Sequence, residues 1–535
     1  MGCDRELGST GRSAGCSLRI VLFLLLWARP SVCAGAPDTS ADELLSRAVS
    51  LAASGSLDQA ERLLTDGEAS FPGDARFFVE LAGISWRRKQ PERAKSYLHR
   101  GLKIDRSSAY ANEFLGSLYF LDGNLYAALK YLNRVRRPVI GNVVFSPELP
   151  LRSELSQRLS AVSTGQLLTG KRLALTERNF ERLLIFGSPK FELTPVAKNE
   201  YGLLIRSPVL AQPLSGVAGS LLPFARGLPY KHINLDWLNM YRRALAITSL
   251  WRWDPEKQRI AVKYRAPLLH GTYTIWTDLR DENWELNRPS LALPILRVRS
   301  ASAGASMQFE VGGDRQWTPS IHLSRHVFQS DCSNRTPSNT TMWEIRNRLD
   351  LPRWRYPEHR IQLDSSGTLR VGRVYSGQST RLVGAELDTT MRWLPQHSGD
   401  LYQVGARLRA GALSGDLPID ELYMTAMERD NDLWLRGHVG TRNGRKGSAP
   451  MGSRFVLMQL DLARQVFQMP FLRVDAGPFL DTGNIGGEAT LGSRGWLYDT
   501  GAQASLTTLG GFRFSIVYGR DIRDGANVLY TTVSR

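Results

Sequence analysis

Two charged residues near the C-terminus of this 535-residue chain have types and spacing that suggest a specific chemistry. Arg436 lies with Gly437 in a polar, glycine-rich segment, and Asp475 lies in the alternating run Leu472–Phe479 that follows. Because glycine weakens helices and strands, the segment is predicted to be a long loop, although an Arg-Gly pair alone is typical of a plain turn. A guanidinium can donate two parallel hydrogen bonds to one carboxylate. We therefore predict that Arg436 pairs with Asp475 and holds the loop against a strand.

The strands that would position this pair alternate in polarity. Within residues 455–462, alternate side chains point to opposite faces of a strand. One face carries Val456, Met458, Leu460 and Leu462, and the other carries Phe455, Leu457, Gln459 and Asp461. The same alternation recurs at 244–253, 260–265, 402–409 and 512–519. One apolar and one polar face per strand is what a closed barrel in lipid requires. Roughly 306 residues, 230–535, leave room for about 16 strands. A soluble β-sandwich also alternates and is the alternative.

The N-terminus has the pattern of an export signal. Arg12 and Arg19 precede an apolar core over 20–28, and Val32-Cys33-Ala34 offers small residues at a cleavage position. We predict that residues 1–34 are a signal peptide. Of the four cysteines, three precede Ala34 and only Cys332 follows it, so neither an intrachain disulfide nor a cysteine-based metal site is expected.

Composition and motifs exclude several classes of function. The formal net charge is +17, but the basic residues are scattered rather than gathered on one face, so nucleic-acid binding is not expected. No G-x-S-x-G, P-loop or H-E-x-x-H motif occurs, so no catalytic residues, cofactor or metal are predicted, and the chain is not expected to be an enzyme. His322 and His326 are four apart in a strand-like run, where we expect solvation in the lumen or a loop rather than metal binding. The basic residues of the glycine-rich segment, Arg442, Arg445 and Lys446, are expected to lie on a flexible loop.

A period of 34 residues organises the region 38–137. Small residues recur at this spacing, and we expect them to let paired helices approach closely: Ala48, Ala82 and Gly116 form one set, and Ala60, Ala94 and Ala128 another. The pattern resembles three tetratricopeptide (TPR) repeats, which stack into a superhelix whose concave face binds peptides or partner proteins. An unrelated helical bundle is the alternative.

The next region, 139–208, changes character. Its predicted order is β-α-α-β-β: a strand at 142–145, helices at 151–162 and 176–186, the second capped by Thr176, and strands at 190–196 and 200–206. This order resembles a POTRA domain, a periplasmic module that offers a strand edge to extended clients. A small α+β spacer without a client is the alternative. Glycines and prolines at 209–229 predict a linker before a barrel over 230–535.

The C-terminal motifs resemble those of a known family of outer-membrane barrels. A Leu417-Pro418-x-x-Glu-Leu-Tyr lead-in, an Arg436-Gly437 loop, a returning strand and Val474-Asp475-Ala-Gly are similar to the BamA/TamA assembly barrels and the related two-partner secretion transporters. In that family the loop folds back into the lumen and its arginine pairs with an aspartate of the wall. The resemblance thus assigns a loop lock to Arg436, Gly437 and Asp475. The family usually has an aromatic residue where His438 stands.

The resemblance also implies a function. It predicts a protein of the bacterial outer membrane that inserts or translocates client polypeptides, with periplasmic TPR and POTRA-like modules that recruit partners. Clients would pair at the POTRA-like edge and at a weak seam of the barrel between its first strand (Ile233, Leu235, Trp237) and its last (Val528, Tyr530, Thr532). Two alternatives remain open at this point: a TPR-barrel exporter of polysaccharide or passive pore, and a barrel that merely anchors the repeats.

Overall fold

The computed structural model describes residues 40–197, 200–209, 231–268, 271–288, 291–292, 295–312, 314–330, 336–469, 471–487, 495–508 and 513–534. The predicted signal peptide and almost all of the predicted linker lie outside these residues. Among the helices that the structure describes, none combines the length and apolar character needed to cross a membrane. The chain forms three units in sequence order: six paired helices, a small α/β module and a large antiparallel barrel.

Three helix pairs begin at intervals of 34 residues. Their bounds are α1 Ala41–Ala53, α2 Leu57–Ser70, α3 Ala75–Arg87, α4 Pro91–Ile104, α5 Ala109–Leu121 and α6 Leu125–Leu132. The small residues predicted to pack between helices are all buried, with 0% exposure for the five alanines Ala48, Ala60, Ala82, Ala94 and Ala128. A Cβ added to Gly116 would lie 2.7 Å from Cγ of Leu132, so the last pair can approach only because this side chain is missing. The assignment to the TPR family stays a prediction.

The α/β module follows in the order β-α-α-β-β. Its elements are β1 Val139–Ser146, α7 Ser153–Leu159, α8 Gly170–Arg182, β2 Lys190–Ala197 and β3 Glu200–Arg206. The sheet order is β1-β3-β2, with β1 parallel and β2 antiparallel to β3, so β1 and β2 are its two edges.

The predicted bounds of the second helix of the module were wrong. The helix α8 begins six residues earlier, after Thr169, whose Oγ1 accepts a hydrogen bond from the backbone N of Arg172 at 3.3 Å. Thr176, predicted to be the cap, is instead fully buried within the helix and donates to the carbonyl of Arg172 at 3.0 Å. Both threonines suit a cap by residue type, and packing against the module core selects the earlier one.

Fifteen long strands build the described part of the barrel wall. They are β4 His232–Met240, β5 Leu245–Asp254, β6 Lys257–Leu268, β7 Gly271–Trp284, β8 Leu296–Val311, β9 Arg315–Ser330, β10 Thr340–Asp350, β11 Ile361–Ser376, β12 Gln378–Trp393, β13 Tyr402–Ser414, β14 Arg454–Met469, β15 Leu472–Gly486, β16 Trp496–Thr508, β17 Arg513–Asp521 and β18 Asn527–Ser534. Each pairs antiparallel with the next, and the strand order returns from β18 to β4. The prediction of about 16 strands stays a prediction.

The two terminal strands of this wall run in the same direction. Fourteen antiparallel steps separate β4 from β18, and an even number of reversals restores the starting direction. Sequential neighbours share between seven paired positions, for β4 with β5, and sixteen, for β11 with β12. The strand order places β18 beside β4 as hydrogen-bonded neighbours, which closes the barrel. We call this junction the seam.

The outer face of the wall is apolar. On β14 the side chains of Val456, Met458, Leu460 and Leu462 are 38–44% exposed, whereas Phe455 and Leu457 are 3% and 0% exposed. This confirms the two faces predicted for the strand. Exposed leucine, isoleucine and valine side chains continue on neighbouring strands, including Ile321, Leu369, Val371, Val383 and Leu387. An apolar outer surface of this extent is typical of a wall that faces lipid.

The helices and the α/β module contact one end of the barrel, here called the module end. The end of β4 and the turn after it contact the module. Nδ2 of Asn239 donates a hydrogen bond to the carbonyl oxygen of Pro150 at 2.6 Å, and the backbone N of Arg152 donates to the carbonyl oxygen of Arg242 at 2.9 Å. The opposite end is called the loop end. Lys231 lies at the loop end, because β4 begins directly after it and runs towards the module. Its carbonyl oxygen accepts a hydrogen bond from the backbone N of Trp253 at 3.0 Å.

Candidate functional site

The longest connection that the structure describes in the barrel, residues 415–453, folds into the lumen. It joins β13 to β14, and we call it the inner loop. Its residues Thr425, Ala426, Met427 and Leu435 are 0% exposed, which a loop in solvent would not be. The segment 441–446, expected to be flexible, forms a short hairpin, and Nζ of Lys446 lies 2.7 Å from a carboxylate oxygen of Glu282 on β7. The inner loop is therefore packed against the wall rather than free.

Arg436 is the centre of the contacts between the inner loop and the wall. Its Nε and Nη2 donate to both carboxylate oxygens of Asp481 on β15, at 2.8 and 2.5 Å, and its backbone N donates to the same group at 3.1 Å. Its Nη1 donates to Asp461 of β14 at 2.5 Å and to Gln503 of β16 at 3.1 Å. The guanidinium lies 3.8 Å from the ring centre of Phe479. Arg436 is 4% exposed and Asp481 0%, so a planar, fully paired charge is held in the lumen.

The prediction that Arg436 pairs with Asp475 was wrong. Asp475 accepts from Nε of Arg473, two residues away, at 2.8 Å. It lies on the same strand and the same face as Asp481, since six residues separate them, but that distance is about 20 Å along a strand. The sequence did contain a signal for the correct residue. Phe479-x-Asp481 places an aromatic ring two positions before the acid, where an arginine bound to the acid can stack on it.

Gly437 allows the backbone of the inner loop to touch the wall. A Cβ at this position would lie 2.6 Å from Cγ of Asp499 and 2.7 Å from the backbone N of Asp521. A Cβ at Gly519 would lie 2.0 Å from the carbonyl oxygen of Arg436. The N–H of Gly437 donates to Oδ2 of Asp499 at 2.5 Å. Gly437 thus lies where the inner loop touches the wall, and its partners on β16 and β17 were not found from the sequence. Its role in a lock stays a prediction.

A second set of ion pairs attaches the inner loop to the opposite side of the seam. The carboxylate of Asp430 forms three ion pairs. Its oxygens lie 2.6 Å from Nη1 of Arg252 on β5, 2.6 Å from Nη1 of Arg259 on β6, and 3.2 Å from Nζ of Lys446. The side chains of Asp430 and Arg252 are each 4% exposed. Glu428 lies 3.4 Å from Nζ of Lys257. Residues 428–438 therefore connect β5 and β6 to β14–β17, and β4 and β18 lie between these two groups of strands.

The predicted seam residues lie on the two strands that meet there. On β4, Ile233 is 5% exposed and Trp237 55%, and the carbonyl of Leu235 accepts from Ser249 Oγ of β5 at 2.9 Å. On β18, Val528 is 6% exposed, Tyr530 packs beside the buried inner-loop residue Met427, and Thr532 pairs with Ser515 of β17. The inner loop thus contacts the seam directly from inside.

The histidines of β9 are held by neighbours, so the expectation of simple solvation was wrong. His326 is 2% exposed, and its Nδ1 lies 2.7 Å from Oδ2 of Asp420 on the inner loop. His322 lies against the ring of Trp276, with ring centres 4.7 Å apart. A different histidine, His438, comes close to two aspartates of the wall.

The helical repeats contact the module end of the barrel through Glu358, in the turn before β11. Tyr131 of α6 donates its hydroxyl to Glu358 at 2.8 Å, and Lys130 forms an ion pair with the same carboxylate. Burial raises the pKa of Glu358, but the hydrogen bonds from Lys130 and Tyr131 outweigh it, and the pKa lies below its usual value. Nε2 of His99 lies 2.8 Å from Tyr119 Oη in the same cluster, and burial lowers the pKa of His99 below 6.5.

No protein-family model and no curated protein sequence matches the chain. Solved structures to which the chain is similar include BamA from Haemophilus ducreyi lacking POTRA domains 1–3, at 11% identity and a TM-score of 0.42, over 75% of this chain and 85% of that one. CdiB from Escherichia coli aligns at 13% identity and a TM-score of 0.46, over 74% and 75% of the two chains. CdiB from Acinetobacter baumannii aligns at 12% and 0.42, over 76% and 81%.

Proposed function

We propose that the chain is an outer-membrane barrel that inserts or translocates client polypeptides, and that clients engage it at the seam between β4 and β18. The helical repeats and the α/β module, which contact the module end, would lie in the periplasm and recruit partners. The apolar outer face of the wall supports a position in lipid.

One observation carries the proposal: buried ion pairs tie the inner loop to the strands on both sides of the seam. The strands β4 and β18 have only nine and eight residues, and each backbone hydrogen bond contributes about 1 kcal/mol, so their junction would open more easily than one between longer strands. Opening this junction in lipid would leave N–H and C=O groups unpaired, which is costly, and a strand from a client would satisfy them. The ion pairs of Asp430 and Arg436 would keep the barrel intact while this edge is in use.

The α/β module supports the same role. Its sheet order leaves β1 and β2 as edges, and an extended peptide can add to such an edge through main-chain hydrogen bonds. The same edge-strand pairing would then act twice, first at the module and then at the seam. The alternatives of a passive pore or a polysaccharide exporter gain no support from a lumen that contains a packed inner loop.

Photocrosslinking in cells tests the proposal. A photoreactive residue would replace Trp237 on β4 or Leu529 on β18, which are 55% and 72% exposed. The matched control is Val371 on β11, also 55% exposed but in the middle of the wall. We expect polypeptides, identified by mass spectrometry, to be trapped from the two seam positions and not from Val371. If all three positions trap the same species, or if the seam positions of a folded barrel trap lipid alone, the proposed client role is wrong.

A further inference from the structure

The tip of the inner loop brings one histidine to two aspartates from separate strands. Nδ1 of His438 lies 3.2 Å from Oδ2 of Asp499 on β16, and Nε2 lies 3.4 Å from Oδ2 of Asp521 on β17. One donor atom from each of the three residues lies within 4.8 Å of the others. Imidazole nitrogen and carboxylate oxygen are both common ligands of divalent transition metals.

The charge of this cluster is unbalanced. The side chains of Asp499 and Asp521 are 0% and 3% exposed, so two negative charges lie away from solvent. The ion pairs that the structure shows for these carboxylates both lead to His438, while the neighbouring Arg436 is bound to Asp481 and Asp461. A protonated imidazole supplies a single positive charge. A divalent cation beside a neutral imidazole would balance both carboxylates.

An unsatisfied atom gives a second, independent indication. Oδ1 of Asp499 is buried and has no hydrogen-bond partner among the described residues, whereas Oδ2 accepts from the N–H of Gly437. A Cβ placed on Gly437 would lie 2.7 Å from this Oδ1, so the free oxygen faces the segment that carries His438. A fully buried carboxylate oxygen without a partner is costly, and a bound ion is one of the few ways to satisfy it.

We propose that His438, Asp499 and Asp521 bind a divalent transition-metal ion, zinc in the first place, which joins the inner loop to β16 and β17. Zinc bonds of 2.0–2.2 Å in a tetrahedron place ligand atoms about 3.4 Å apart, and whichever ring nitrogen binds the ion already has one carboxylate oxygen near this distance, at 3.2 or 3.4 Å. One ring nitrogen binds the ion, and the other can donate to a carboxylate oxygen that the ion does not use, which fixes the ring. A nitrogen ligand disfavours magnesium and calcium, which take oxygen. The site stands apart from the client role and adds a third attachment of the inner loop.

Metal content of the intact protein tests the site. The mature chain would be purified in detergent with an affinity tag that contains no histidine, stripped with a chelator, and titrated with zinc chloride. We expect one zinc ion per chain by elemental analysis, and no competition from a hundredfold excess of magnesium. His438→Phe, which restores the aromatic residue usual in similar barrels, should abolish this binding, and Asp521→Asn should weaken it at least tenfold. His326→Phe is the matched control, because His326 is also buried beside an aspartate of the lumen, and it should retain one zinc ion.

X-ray absorption at the zinc edge provides a readout that does not depend on the variants folding. The wild-type spectrum should show scattering from a single imidazole together with oxygen ligands. Less than half an equivalent of zinc on the folded wild-type barrel, an unchanged zinc content in folded His438→Phe, or a spectrum with several imidazoles or none, would each overturn the proposal. None of these outcomes affects the crosslinking expected at the seam, so failure of the metal site and failure of the client role are distinguishable.

Discussion

Replacement of Arg436 by alanine is the sharpest test of the lock between the inner loop and the wall. The change removes three side-chain hydrogen bonds to Asp481 and Asp461 and leaves Asp481, which is 0% exposed, as a buried carboxylate whose charge has lost its partner. Removing one partner of a buried ion pair costs about 3–5 kcal/mol of unfolding free energy. We expect a loss of this size for Arg436→Ala. Arg436→Lys should lose less, because an ammonium keeps the charge but cannot make both parallel bonds.

The matched control is Arg473→Ala on the same barrel. Arg473 pairs with Asp475, but its side chain is 34% exposed, and a partly exposed pair between residues two apart is worth about 0–1 kcal/mol. The measurement is urea unfolding of the barrel in lipid vesicles, followed by tryptophan fluorescence and by the electrophoretic mobility of the unheated protein. An Arg436→Ala loss under 1 kcal/mol, or an equal loss in Arg473→Ala, would refute the assignment of Asp481 as the partner.

Three further predictions concern other contacts. Asp430→Asn should weaken the attachment on the β5–β6 side and increase crosslinking from the seam, whereas Asp432→Asn, at a carboxylate 72% exposed, should leave crosslinking at the wild-type level. Gly437→Ala should destabilise the barrel by about 1–3 kcal/mol through overpacking, measured by the same urea unfolding, while Gly486→Ala, where a Cβ meets nothing within 4 Å, should be close to neutral. Because burial lowers the pKa of His99, the unfolded chain binds a proton at this imidazole more tightly than the folded chain does, and the helices should lose stability as the pH falls below 6.5. Urea unfolding followed by circular dichroism at pH 7.5 and 5.0 measures this loss of stability. The loss between the two pH values should be smaller in His99→Phe than in the wild type.

The local patterns of the sequence predicted much of the architecture. A spacing of 34 residues in small side chains corresponds to helix pairs that begin at Ala41, Ala75 and Ala109, because each pair repeats the same close contact. Alternation over 455–462 corresponds to the two faces of β14, since side-chain direction in a strand depends only on the position along it. Helix bounds in the α/β module were predicted less well, because Thr169 and Thr176 are equally suitable caps until the core is packed.

The candidate site depended on contacts between distant segments. Asp475 and Asp481 lie on the same face of β15, because an even number of positions separates them. Only the depth to which the inner loop enters the lumen decides which of the two acids pairs with Arg436. The same holds for Asp430 with Arg252, which are 178 residues apart, and for His438 with Asp499 and Asp521, which come from three elements.

The sequence by itself therefore determined the kinds of elements, the faces of the strands and the presence of an inward arginine loop, because these depend on side chains a few positions apart. The tertiary structure alone decided the partners of that loop, the parallel junction of β4 with β18 and the grouping of His438 with two aspartates. Those features depend on strand order, register and loop depth, which set the distances between residues far apart in the chain.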